Sequence, residues 1–75
     1  MANQSSKLDG RDYRIILSLA DNSMNVTMVG SALYMHRNTV LYHMEKIKRI
    51  TGLDPGNFYD LHKLVAKIKG AVENE

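Results

Sequence analysis

Seven side chains between positions 36 and 46 are suited to hydrogen-bonding a polyanion or the edge of a base: His36, Arg37, Asn38, Thr39, Tyr42, His43 and Lys46. Arginine presents a planar fork that matches a guanine edge or a phosphate bidentately. Asparagine pairs with an adenine edge, and threonine offers a hydroxyl to phosphate or a methyl group to thymine. Tyr42, His43 and Lys46 follow at one and two helical turns, where they would extend contact along a groove or its rim. His36 to Thr39 open a helix-like segment, and the first residues of a helix lying in the major groove are those that meet base edges. In type and spacing this set suits recognition of double-stranded DNA, with no bond made or broken. Asn38 and Thr39 also suit local capping of their own helix, and Tyr42 also suits packing on a neighbouring helix.

Other chemistries lack their residues. His36 and His43 are seven positions apart, not the three or four that chelate from adjacent helix turns, and His62 belongs to another segment. With no cysteine, there is neither a thiolate metal site nor a disulfide framework. No glycine-rich phosphate loop and no serine–histidine–acid arrangement is present, so no metal, no cofactor and no catalytic residue is expected. A chain of 75 residues has room for one small domain and little for an enclosed active site. No apolar run is long enough for a membrane span, and the amino terminus lacks the pattern of a signal peptide. The net charge of +2 is only mildly basic. Its distribution is more telling: no acidic residue occurs from Asn22 to Met44, and Arg37, Lys46, Lys48 and Arg49 are opposed locally only by Glu45. Lys48 and Arg49 also read simply as a solvated face.

The elements that must hold these residues are helices. Residues 1–8 read as a flexible leader and 9–73 as one all-α domain, with helices at about 10–21, 26–33, 37–51 and 58–70. Asp9 caps the first helix, with Leu8 and Tyr13 at staple spacing and Asp12 near the positive end of the dipole. Tyr13, Ile16, Leu17 and Ala20 form its expected buried stripe. Asn25 caps the second helix, which faces Val26, Val29 and Leu33 inward. Gly30, costly inside a helix by on the order of 1 kcal/mol, implies a close approach by the following helix. Tyr34 and Met35 make the turn, with Met35 as the plug. The third helix turns Val40, Met44 and Ile47 inward and leaves Arg37, Asn38, Leu41, His43, Lys46 and Arg49 outward. Gly52, Leu53 and Pro55 end it. Asn57 caps the fourth helix, whose Phe58, Leu61, Val65, Ile68 and Val72, widened by Leu64 and Ala71, form an apolar stripe. Helices two and three make a helix-turn-helix.

The run Ala32-Leu33-Tyr34-Met35-His36-Arg37-Asn38-Thr39-Val40, then Tyr42, Met44-Glu45-Lys46-Ile47 and Thr51-Gly52-Leu53, resembles the C-terminal helix-turn-helix domain of the PucR and CdaR bacterial transcription regulators. The turn and third helix are more distantly similar to the Fis-type, homeodomain-like helix-turn-helix. The resemblance covers roughly Tyr13 to Gly70. It implies a domain that binds operator DNA at the end of a longer regulator with an upstream sensor region. It also implies action in the bacterial cytoplasm, at the nucleoid. Two positions depart from the family pattern: Leu41 and His43 stand where relatives commonly carry basic residues, which implies fewer phosphate contacts.

The rival reading is a small helical interaction or dimerisation module. An outward Leu41 and the apolar fourth helix favour it. A homodimer would form through helix four or through a longer parent protein.

Overall fold

The computed structural model describes residues 7–73, with side chains described through Gly70. Four helices follow in order: α1, Gly10–Asp21; α2, Val26–Leu33; α3, Arg37–Thr51; and α4, Phe58–Glu73. The fold is all-α, as expected from the sequence. Met1 to Ser6 of the expected leader lie outside the described residues, as do the side chains of Ala71 and Val72. Helix α1 packs against each of the other three, and α2 packs on α3. The core is built from Ile15, Ile16 and Leu19 of α1, Val29 of α2, Val40 and Ile47 of α3, and Leu61 and Leu64 of α4.

Helix α1 starts in a reciprocal cap. The Asp12 N–H donates to Asp9 Oδ1 at 3.1 Å, and the Asp9 N–H donates to Asp12 Oδ2 at 2.9 Å. The buried face of this helix is not the expected one. Asp12, Ile15, Ile16, Ser18 and Leu19 point inward, whereas Tyr13 and Ala20 are exposed and Leu17 is half-buried. The stripe is turned by about one residue, or roughly 100° of helix rotation. An apolar-periodicity argument assigns aspartate to solvent. Here Asp12 takes an inward position, and the apolar residues at the next two turns follow it.

Asn25 caps α2 by accepting the Met28 N–H at 3.0 Å. Tyr34 closes the helix in the left-handed region, at φ 56°. The chain then folds back so tightly that the Met35 N–H donates to the Gly30 carbonyl at 2.8 Å. A Cβ on Gly30 would stand 2.6 Å from the Met35 carbonyl oxygen. The glycine therefore serves a close approach, but the approaching group is the backbone of the turn rather than the crossing helix. Met35 packs against the core and fixes where α3 begins.

At the other end of α3, Gly52 is left-handed at φ 78° and its N–H donates to the Lys48 carbonyl at 2.8 Å. Thr51 Oγ1 donates to the Ile47 carbonyl at 2.7 Å and accepts the Leu53 N–H at 3.0 Å. Asp60 Oδ2 accepts the Asp54 N–H at 3.0 Å, and Asn57 caps α4 through the Asp60 N–H at 3.1 Å. Phe58, expected to face inward, is 64% exposed. It begins the helix one turn before Leu61 and lies beyond the end of the core.

Candidate nucleic-acid interface

Helix α3 separates its polar residues onto two sides. Its first turn is wholly exposed: His36, Arg37, Asn38 and Thr39. His36 caps the helix, with Nδ1 accepting the Asn38 N–H at 3.0 Å. With Nδ1 used as an acceptor, a neutral ring carries its proton on Nε2 as a donor. Arg37 makes no ion pair among the described residues. One turn on, Tyr42 is 62% exposed, which answers the alternative that it packs on a neighbouring helix. Glu45, Lys48 and Arg49 continue this open side, and Leu41 is half-buried at its edge. Tyr34, in the turn just before, is also on the surface.

The other side corrects the expectation for His43 and Lys46, which do not point outward. His43 is 6% exposed, and its Nδ1 lies 2.7 Å from Oδ1 of the fully buried Asp12. Lys46 Nζ lies 2.9 Å from Asp12 Oδ2 and 3.2 Å from Asp9 Oδ2. An ionised carboxylate only accepts, so His43 donates from Nδ1. Asp12 thus takes bonds from the Asp9 N–H, from His43 and from Lys46. No buried side-chain nitrogen or oxygen among the described residues lacks a partner. The physical reason for the inward turn is this carboxylate: a buried charge is tolerated only when paired and hydrogen-bonded, and α3 supplies the partners.

The electrostatics follow from the same contacts. The Asp12 backbone N–H, reinforced by the Lys46 ammonium, holds the Asp9 carboxyl down at about 2 against an ordinary 3.8. Hydrogen bonding to the Asp12 carboxylate, and then to Asp9, raises the Lys46 ammonium above its ordinary 10.5. Asp9, Asp12 and His43 bring ligand atoms within 4.8 Å of one another. The positive charge between the two carboxylates is supplied by Lys46. His43 also meets its exposed neighbour: the Tyr42 and His43 rings stand edge to face, 5.3 Å apart.

Asp12 is the residue of this network that its sequence context does not reveal: next to a helix start it reads only as a favourable charge, and its partners lie in another helix.

Two helices joined by a tight turn, the second opening with four exposed polar side chains and resting on a third helix behind, define a helix-turn-helix DNA-binding domain. The profile of the PucR C-terminal helix-turn-helix domain matches residues 13–69, and the chain belongs to that family. The family is one of transcription-regulator domains rather than of enzymes. A stretch of 29 residues is 55% identical to the carbohydrate diacid regulator of Escherichia coli (strain K12). That stretch is 39% of this chain and 8% of the relative's length. No solved structure matches the chain. No helix among the described residues is long and apolar enough to cross a membrane.

Proposed function

We propose that this domain binds double-stranded DNA sequence-specifically by laying α3 in the major groove, as the DNA-binding part of a bacterial transcription regulator acting at the nucleoid. The observation that carries the reading is the exposed first turn of α3, whose Arg37 forms no ion pair among the described residues, with Tyr42 on the same open side. Arg37 and Asn38 read base edges or clamp phosphate. His36 and Thr39 contact the backbone beside the helix start, and Tyr42 reaches sugar or phosphate. His43 and Lys46 do not touch DNA in this reading. They hold α3 at its angle on α1. Binding-site selection from random duplexes, followed by titration at several salt concentrations, is the test. A recovered motif with a slope of about −0.9 per phosphate contact supports it. No binding in dilute salt sinks it.

A second reading, self-association through α4, is favoured by apolar grooves on both flanks of that helix. One, of about 430 Å³, runs between α4 and the end of α1 beside Met24, Phe58 and Leu61. The other, of about 450 Å³, includes Leu8, Ile16, Leu64 and Ile68. Sedimentation equilibrium decides it: a monomer at high micromolar concentration excludes this dimer.

A further inference from the structure

Glu45 lies in the middle of the open side of α3, an acid among polar and cationic neighbours. It is exposed and makes no ion pair among the described residues, although Lys48 and Arg49 stand three and four positions on. Its neighbours on that face are Asn38, Leu41, Tyr42, Lys48 and Arg49. A duplex carries a negative charge for about every 1.7 Å of its axis, so a carboxylate resting on the phosphates would oppose binding. A carboxylate that passes between the phosphate walls to the groove floor meets base edges instead. There the cytosine N4 amine is the donor that pairs with an acid side chain. The charge pattern fits the second placement. Cationic Arg37 precedes the acid by two turns and Lys48 and Arg49 follow it by one, so cations stand on either side of it along the helix. Asn38 and Glu45 are separated by about 10 Å along the axis at 1.5 Å per residue, enough to address different base pairs.

We infer that Glu45 is a specificity-determining residue of this domain and accepts a hydrogen bond from the exocyclic amine of a cytosine in the major groove. The inference rests on the DNA-binding reading above. Leu41, half-buried one turn earlier, supplies an apolar edge beside it without a competing donor.

Binding-site selection with the 75-residue chain and its Glu45→Ala and Glu45→Gln variants tests this. The wild-type chain should select a motif with one C·G pair whose replacement weakens binding about tenfold. Glu45→Ala should lose the preference at that pair alone and bind unrelated duplex more tightly, because a negative charge is gone. Glu45→Gln should move the preference at the same pair towards adenine, whose N6 and N7 match a carboxamide. Circular dichroism should show both variants folded. If Glu45→Ala loses helix content, Glu45→Gln alone decides. Wild-type and variant motifs that agree at every position overturn the inference and leave the DNA-binding reading standing. A wild-type chain that selects no motif and shows no salt-dependent binding overturns both.

Discussion

The two sides of α3 carry similar residue types and put them to opposite uses. On the side facing α1, His43 and Lys46 are bonded to the fully buried carboxylate of Asp12. On the open side, Arg37, Asn38 and Glu45 are exposed and form no ion pair among the described residues. Cations and polar groups in a helix therefore do not mark its binding face. What sets the proposed binding face apart is that its charged side chains form no ion pair among the described residues. Asp12 divides the two populations, because one buried carboxylate demands the donors nearest to it.

The sharpest way to break this division is Asp12→Ala. It leaves the Lys46 ammonium facing only Asp9 and strands the His43 donor, a loss of about 3–5 kcal/mol for a buried pair deprived of one member. Small domains hold only about 5–15 kcal/mol in total, so urea denaturation should show a collapsed midpoint or no native baseline. An unchanged midpoint would mean that the buried network is energetically idle.

Arginine substitution separates the two sides directly. His43→Arg forces a larger, permanently charged group into a filled space and should cost roughly 1–3 kcal/mol of stability. Leu41→Arg adds a cation at the edge of the open side. It should leave the midpoint near wild type and steepen the salt slope of non-specific DNA binding by about 0.9. Equal destabilisation by the two changes would erase the distinction between the faces.

Arg37→Ala should weaken binding to a selected site by about 1–3 kcal/mol with no change in denaturation midpoint. Titration on that site checks it, and wild-type affinity would remove Arg37 from the contact surface. Gly30→Ala acts between these cases. Alanine gains about 1 kcal/mol of helix propensity over glycine, but its Cβ would meet the Met35 carbonyl at 2.6 Å. The turn must shift, and a net loss of about 1–2 kcal/mol is expected in urea. A stabilised variant would show that the turn yields without strain.

The smallest effect is pH dependence. Asp9 has a lowered folded-state pKa, so its contribution is complete above its ordinary 3.8 and is lost as the pH falls towards about 2. Lys46 is raised, so its contribution is present below 10.5 and is lost as the pH climbs beyond its elevated value. Denaturation midpoints measured across pH should fall at both extremes. Asp9→Ala should flatten the acid limb, and an unaltered limb would assign it to other carboxylates.

The helix-turn-helix was legible in the sequence because its signals are local. Asn25 and His36 as caps, Gly30 at a close approach and Gly52 as a left-handed stop each act within a few residues. The exposed first turn of α3 was legible for the same reason. His43 and Lys46 were misplaced because their orientation depends on a residue 31 positions away from His43, in α1. No periodicity within α3 encodes that partner. The same blind spot turned the expected stripe of α1, since a buried aspartate counts as polar in any hydrophobic pattern.

Asp12 belongs at once to the opening turn of α1 and to the counter-ion set of α3. Helix ends ordinarily fray, and their amides exchange with solvent through small local openings. Here fraying the first turn of α1 would also release the His43 and Lys46 donors. The two segments should therefore open as one cooperative unit, with the Asp12 and Tyr13 amides exchanging deuterium as slowly as those in the middle of α3. The amino-terminal edge of the domain then reports on the docking of α3 itself.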